Sequence, residues 1–328
     1  MRCRCLSFMC STKFLLSLLI LSAIPISIII ALERAPHSSH VYQYHSKGWL
    51  RETAKWDDIN RRFLVSCLEG GVAEIRVPDD HDDAVVLGEI TAVKDADLAG
   101  NASMGITIDR PRNRLLVVVA DLMGNRYGGL VAYDLSSWRR LFLTDLSGPG
   151  DEKSFAEDVA VDEEGNAYVT DAKGSKIWKV DVDGKLLSFI KSPLFTSKEW
   201  YNNLVALNGI VYHPDGYLLV IHTFSGKLYK INPKGGEIKM VKIPGSLKFG
   251  DGLELLSPTK LVVAGRPTGR LVESSDDWET ASVVGKYSSL VHRLATSVTV
   301  KDGKAYLNHL IGLGYPKRKH IIKEAVFS

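Results

Sequence analysis

Cysteine is scarce in this sequence, and its placement excludes a disulfide-stabilised fold. The chain has four cysteines, of which Cys3, Cys5 and Cys10 precede a long apolar run. Cys67 is therefore the one cysteine left for the rest of the chain, and a single thiol cannot form an intradomain disulfide. The three N-terminal cysteines fit either acylation beside a membrane or unmodified thiols.

Net charge is also small, and this argues against a nucleic-acid surface. The 41 Lys and Arg residues and the 38 Asp and Glu residues give a formal charge of +3. Arg2, Arg4 and Lys13 account for that excess, so the chain from Glu33 onward is close to neutral. No nucleic-acid partner is predicted.

One long apolar run, residues 14–32, follows a basic N-terminal segment, residues 1–13. A run of this length can cross a bilayer of roughly 30 Å as a helix. Basic residues ahead of an apolar core are typical of a signal peptide or an uncleaved signal anchor. The absence of a convincing cleavage site favours the anchor, which would tether the chain to the membrane. Both interpretations place the remaining chain in the secretory pathway, in an endomembrane lumen or outside the cell.

A linker and a glycosylation sequon follow the apolar run. Residues 33–48 are predicted to form a polar linker, with a short strand at 41–44, ahead of a folded domain at 49–328. Asn101-Ala102-Ser103 is a lone N-glycosylation sequon, a triplet that also arises often by chance.

Helical periodicity is weak throughout the folded part, and a repeat of short strands takes its place. Residues 208–232 contain three apolar runs separated by the turns 213–216 and 225–226. This pattern predicts a β-meander. Similar stretches recur at roughly 40 to 50 residue intervals, as in a propeller blade. The copies begin at Glu52, Met104, Glu157, Asn208, Asp251 and Thr296. The sequence therefore predicts an all-β fold, a six-bladed β-propeller preceded by a hydrophobic helix, with 320–327 as a strand that helps to close the ring.

The residues that open these strands predict a metal site. Adjacent strands of a meander are antiparallel, so the first residue of every innermost strand lies at the same end of the disc. Glu52, Glu157, Asn208 and Asp251 are then expected to converge at the hub. Carboxylate and amide oxygens suit Ca²⁺, or another divalent cation, better than zinc. The alternative is that each polar residue caps the turn before its strand.

A second ring is expected where the second strands end. It comprises Cys67, Asp121, Asp171, His222, Gly265 and His309. Asp121 and Asp171 are interpreted mainly as turn residues that bond to nearby backbone. His222 and His309 are interpreted first as turn residues and only second as candidates for a proton shuttle.

These motifs together resemble those of a known family. Glu52 lies four residues before Trp56-Asp57, while Glu157-Asp158, Asn208-Gly209 and Asp251-Gly252 open successive strands. The series is similar to that of the senescence-marker-protein, gluconolactonase and regucalcin-like propellers, relatives of calcium-dependent phosphotriesterases, over about residues 49–310. The resemblance implies six blades and a divalent cation held by Glu52, Asn208 and Asp251. It also implies that Asp251 is the catalytic base.

Three positions depart from the family pattern. Glu157 stands where the family usually has Asn in an Asn-Asp-Gly motif, and Val159 replaces the Gly. Phe155 stands where the family has an Arg that grips a sugar-acid lactone. Glu157 still offers oxygen to a cation, so the departures argue against a sugar lactone more than against a metal.

Two functions are compatible with this sequence. The first is a calcium-dependent hydrolase of a small ester, lactone or phosphotriester-like substrate, in which Asp251 activates water or attacks directly. The second is a non-catalytic lumenal propeller that binds a protein or small ligand, with a structural metal or none. A strictosidine-synthase-like condensing enzyme is less favoured, because no disulfide or distinctive second-blade motif is present.

Overall fold

The computed structural model describes residues 12–34, 39–123, 126–148, 153–267 and 269–328. The chain divides into two compact units, residues 1–38 and 39–328. Cys3, Cys5 and Cys10 lie outside the described residues, and Cys67 is a buried free thiol.

The first unit contains the predicted apolar helix. Helix α1 spans Thr12–Arg34, includes Pro25, and has no buried residue. It is long and apolar enough to cross a membrane, a test that an N-terminal signal sequence also meets. Within the described ranges there is thus one N-terminal apolar helix suited to a signal or an anchor.

The second unit is built from strands. Their bounds are β1 Val41–Ser46, β2 Arg51–Asp57, β3 Arg62–Cys67, β4 Val72–Arg76, β5 Val86–Gly88, β6 Ile90–Val93, β7 Ala102–Asp109, β8 Arg114–Ala120, β9 Gly128–Asp134, β10 Arg140–Asp145, β11 Ala156–Val161, β12 Ala167–Asp171, β13 Lys176–Val180, β14 Leu186–Lys191, β15 Leu207–His213, β16 Tyr217–His222, β17 Lys227–Ile231, β18 Ile238–Met240, β19 Gly250–Ser257, β20 Lys260–Gly265, β21 Gly269–Glu273, β22 Ser282–Tyr287, β23 Ala295–Lys301, β24 Lys304–Leu313 and β25 Arg318–Glu324. Short 3₁₀ helices occupy Ala96–Leu98, Arg110–Arg112, Pro193–Phe195, Trp200–Leu204 and Val291–Arg293.

These strands form six sheets, and the prediction of a six-bladed β-propeller is confirmed. In each sheet one strand is innermost: β2, β7, β11, β15, β19 and β23. Each of them contacts the next in cyclic order, and β23 contacts β2, so the ring is closed. The predicted turn at 213–216 joins β15 to β16, and Gly216 supplies the left-handed backbone (φ +89°) that a side chain would disfavour.

The hydrophobic core lies between neighbouring sheets. One apolar cluster fills each of the six interfaces, for example that around Trp178 between the second and third sheets. Second strands such as β8 and β16 are buried along their whole length because a sheet covers each of their faces. Since helix α1 buries nothing and the clusters all lie within 39–328, the propeller carries its own core. The apolar clusters lie between the sheets, whereas the cavity at the centre of the ring is lined mainly by polar residues.

The ring is closed by pairing between the two ends of the propeller. Strand β1 pairs antiparallel with β25, with Tyr44 opposite His320. Strand β25 covers most of the closing strand predicted at 320–327. Its partner β1 lies inside the segment assigned to a linker, and the compact unit begins at Ser39.

We expect a chain that begins at residue 47 to be much less stable than one that begins at residue 39. Removing β1 exposes the edge of β25 and removes the buried side chains of Val41, Tyr42 and Tyr44. At about 1.5 to 3 kcal/mol for each, the free energy of unfolding falls by roughly 5 kcal/mol or more. Urea denaturation of the two chains measures this difference. Equal midpoints would show that β1 does not contribute to closure.

Candidate metal centre

An irregularity in every innermost strand creates the hub. Each pairs with its neighbour out of register near its first residues, so the pairing of β2 with β3 skips from Arg51 to Ala54. The other five innermost strands show the same break. Such bulges re-aim side chains that a regular ladder would hold. The skipped positions include Glu52, Met104, Glu157, Asn208, Asp251 and Thr296.

Three of these residues meet at one point. One carboxylate oxygen each from Glu52, Glu157 and Asp251 lies within 4.8 Å of the other two. Glu52 and Glu157 are buried, whereas Asp251 is half-buried and is the most accessible of the three. The oxygens line a cavity of about 10 Å³, which Asn208 also lines. A space of this size accommodates one water-sized sphere or one ion.

Glycines beside these residues allow the innermost strands to approach closely. A Cβ at Gly209 would lie 2.2 Å from the Asp251 carbonyl oxygen, and one at Gly252 would lie 2.6 Å from that of Thr296. Real side chains do not tolerate such distances, so the Asn-Gly and Asp-Gly pairs bring three blades together at the hub.

Burial and mutual repulsion raise the carboxylate pKa values in the metal-free protein. Burial, together with the Asp158 carboxylate, raises the pKa of Glu52 to about 7. Burial, followed by the charges of Asp251 and Glu52, raises the pKa of Glu157 well above its usual range. Burial and the charge of Glu52 likewise raise the pKa of Asp251, although the Asn208 side chain opposes this shift. A bound cation would offset the repulsion among the three carboxylates and lower their pKa values.

The donor set fits a hard cation. Asn208 contributes a buried side-chain oxygen, Oδ1, that has no hydrogen-bond partner among the residues that the structure describes. Buried polar atoms usually have partners, so this atom is suited to a ligand. No histidine or cysteine is among the residues described as lining the cavity. Oxygen ligands of this kind favour Ca²⁺ over zinc.

Asp158 belongs to the same hub, and sequence reasoning did not assign it a site. Its carboxylate accepts backbone hydrogen bonds from Val159 (2.9 Å) and, across to the next sheet, from Ile210 (3.2 Å). Burial raises the pKa of Asp158 to about 6, against the lowering effect of Lys55. Its position directly after Glu157 is the sequence feature that could have assigned Asp158 to the hub.

Lys55 was also missed, and it supplies a positive charge to the hub. Its ammonium pairs with Glu254 and donates to the Val298 carbonyl oxygen at 3.1 Å. Burial lowers the pKa of Lys55, but the charges of Glu254 and Asp158 raise it by more than burial lowers it. The pKa of Lys55 is therefore above its ordinary value. Among the described residues of the hub, carboxyl groups outnumber this ammonium: they are Glu52, Glu157, Asp158, Asp251 and Glu254. Lys55 lies three residues after Glu52 on the same strand. No sequence motif identifies it as a residue of the hub.

We expect Lys55→Met to increase the calcium affinity of the propeller several-fold. The substitution removes a positive charge that repels a bound cation, and it retains an aliphatic side chain of similar length. Calorimetric titration of Ca²⁺ measures the change. Lys260→Met is the matched control, since Lys260 pairs with Glu273 at 3.7 Å and does not line the cavity. An unchanged or lower affinity for Lys55→Met would contradict the expectation.

The two aspartates of the second predicted ring accept hydrogen bonds from nearby backbone and have a structural role. Asp171 Oδ1 accepts backbone hydrogen bonds from Phe155, Lys173 and Gly174 at 2.7 to 3.0 Å. Asp121 Oδ1 accepts one from Met123 at 3.0 Å. The turn interpretation of both aspartates is confirmed.

The two candidate histidines are not brought to the carboxylates. His222 accepts a 3.4 Å hydrogen bond from the Ser225 N–H, and His309 is fully buried. Burial lowers the pKa of each to about 4, with Lys227 acting on His222 and Arg293 on His309. Neither lines the cavity, so their role as a proton shuttle stays a prediction.

Neither Asn101 nor Phe155 lines the cavity. Asn101 of the sequon is half-buried at the end of the loop before β7. Phe155, at the position of the family's arginine, is half-buried and packs against the apolar cluster between the second and third sheets. It brings no charge toward the hub.

Comparison with known proteins supports the fold. No protein-family model matches the sequence, and no curated protein is significantly similar to it. Among solved structures, the major allergen Mala s 1 of Malassezia sympodialis superimposes with a TM-score of 0.65 at 15% identity, over 87% of this chain and 96% of that one. A luciferin-regenerating enzyme gives 0.55 at 15% identity, over 85% and 92%. Streptogramin B lyase gives 0.53 at 13% identity, over 86% and 98%. Propellers of this shape thus include enzymes, while identities this low show the fold alone.

Proposed function

We propose that this protein is a calcium-dependent hydrolase of a small ester, lactone or phosphotriester-like substrate, similar to the senescence-marker-protein, gluconolactonase and regucalcin-like propellers. The observation that carries the proposal is the convergence of Glu52, Glu157 and Asp251 from three separate blades within 4.8 Å. Charges of one sign are rarely buried together unless a cation joins them.

The four predicted ligands have defined parts in this proposal. Glu52, Glu157, Asn208 and Asp251 hold the cation, which supplies Lewis-acid polarisation of a carbonyl or phosphoryl oxygen and keeps Asp251 ionised. Asp251 is the most accessible carboxylate of the set, so it is the one that a substrate or a water molecule reaches from the mouth. It accepts the proton of the attacking water or attacks the substrate directly.

The apolar side chain of Phe155 favours one class of substrate over another. A carboxylate-bearing sugar lactone would lack the cationic partner that the family provides at this position. Neutral esters, lactones and phosphotriesters need no such partner, and they are therefore the favoured class.

The test combines binding with turnover. Calorimetric titration of Ca²⁺ and Mg²⁺ into the metal-free propeller, residues 39–328, is expected to show one tight calcium site. A panel of esters, lactones and phosphotriesters is then assayed with calcium and with a chelator. Turnover that requires calcium supports the proposal, and absence of calcium binding overturns it.

One observation favours a second candidate, a non-catalytic propeller that binds a ligand on its surface. The cavity of about 10 Å³ admits an ion but no organic molecule. A substrate would have to lie at the mouth of the hub, against the surrounding loops. Calcium binding without turnover of any substrate in the panel would support this candidate instead.

We also infer that the propeller lies in the secretory pathway, in an endomembrane lumen or outside the cell. The support is helix α1, whose length and composition suit a signal or an anchor. A fusion reporter, together with an assay of glycan attachment at Asn101, tests this location. A cytosolic, unglycosylated protein would contradict it.

A further inference from the structure

The two faces of the disc differ in composition. We define the mouth face as the loops that join second to third strands within a sheet and fourth strands to the next sheet, where Glu52 and Asp251 begin their strands. The opposite face consists of the remaining loops.

Large apolar side chains are exposed on the mouth face. Met123 is 92% exposed, Tyr315 89% and Trp200 74%. Trp49, Tyr201 and Phe249 of the same face are each about half exposed. The opposite face exposes the smaller aliphatic side chains Ile59, Val85 and Val182 among the described residues. These exposed side chains are absent from the apolar clusters between the sheets, so their presence together on one face points to a partner.

Charge is divided between the faces in the same way. In the loops of the mouth face Lys and Arg outnumber Asp and Glu, with Lys47, Lys198, Lys248 and Lys317 exposed. In the loops of the opposite face the acidic residues predominate, as at 79–83, 162–164 and 276–277. The propeller therefore carries a charge asymmetry along its axis.

We propose that the mouth face docks on the surface of an anionic lipid bilayer. Tryptophan and tyrosine prefer the membrane interface, where the ring is partly buried and its polar atom stays hydrated. Lysines beside them are attracted to anionic headgroups, and an acidic opposite face is repelled. The two effects select one orientation, with the hub opening toward the lipid. This contact is additional to helix α1 and does not depend on a cation in the hub.

The orientation has a consequence for the hub. A molecule that reaches Asp251 from the mouth face comes from the bilayer side, so lipophilic molecules have the shortest path to it. This consequence rests on the proposed hydrolase function, whereas the docking itself does not.

The docking is tested with residues 39–328, which carry their own core and lack helix α1. The protein is prepared without glycans, because Asn101 lies in a loop of the mouth face. Flotation is measured with phosphatidylcholine vesicles that contain or lack phosphatidylserine. Trp49 and Trp200 are exposed, while the other four tryptophans are buried or half-buried. Brominated lipids in the vesicles should therefore quench fluorescence, and Trp200→Phe should reduce the quenching.

Two variants and their controls decide the result. Lys198→Glu combined with Lys248→Glu is expected to lower partitioning by at least about tenfold, as is Met123→Ser combined with Trp200→Ser. The controls on the opposite face, Lys185→Glu with Lys304→Glu and Ile59→Ser with Val182→Ser, should leave partitioning unchanged. Thermal unfolding by circular dichroism verifies that each variant folds. Absence of flotation with anionic vesicles, or equal losses in the controls, would overturn the proposal and leave a protein partner as the occupant of this face.

Discussion

Replacing Asp251 with asparagine is expected to lower turnover by roughly 10²- to 10⁴-fold while calcium binding stays measurable. The amide retains one oxygen for the cation, and Glu52 and Glu157 remain beside it within 4.8 Å. It cannot accept a proton from water, and it cannot attack the substrate to form a mixed anhydride with release of the alcohol. Turnover and calorimetric titration of the same preparation measure the two effects separately.

The control for this variant is Asp215→Asn. Asp215 lies in the turn between β15 and β16, on the opposite face, with its side chain 69% exposed. Its substitution should change neither turnover nor calcium affinity. Full activity of Asp251→Asn would show that another group is the base, even if the cation site is real.

The metal-free propeller is expected to lose stability as the pH rises from 5 to 8. The ordinary pKa of glutamate, 4.5, applies to the unfolded chain, and in the folded protein that of Glu52 is about 7. The folded state therefore binds more protons between these values, so the free energy of unfolding falls as the pH rises through 7. The shift of Glu52 alone corresponds to about 3 kcal/mol, and the raised pKa values of Glu157 and Asp251 act in the same direction.

Saturating calcium should remove this loss, because it binds the ionised carboxylates of the folded state. Urea denaturation across the pH range, with chelator and with calcium, measures both effects. Glu157→Gln should flatten the slope of the metal-free protein, whereas Glu237→Gln, on the exposed outer surface, should not. A metal-free protein that gains stability toward pH 8 would contradict the proposed electrostatics of the hub.

The blades could be predicted because their signal is local. Alternation of apolar residues with period two, interrupted by turns such as 213–216, specifies strand pairs within a short segment. The same repeat aligns Glu52, Glu157 and Asp251 at equivalent positions, so their convergence follows from counting strands.

The linker boundary could not be predicted in the same way. Strand β1 pairs with β25, which is almost the whole length of the domain away in sequence. Its composition, with His40 and the polar segment before it, has no local feature that identifies the partner. Closure is decided by the ring, because β1 covers the otherwise open edge of the last sheet.

By itself the sequence determined the number of blades, the apolar N-terminal helix and the polar residues that open the innermost strands, because each of these depends on periodicity or on composition within one segment. Only the tertiary structure decided that Lys55 and Asp158 share the hub, that β1 completes the sixth sheet, and that aromatic and basic side chains lie on the same face as the mouth. Those relations join residues from different blades, and their distances are set by how the sheets pack around the axis.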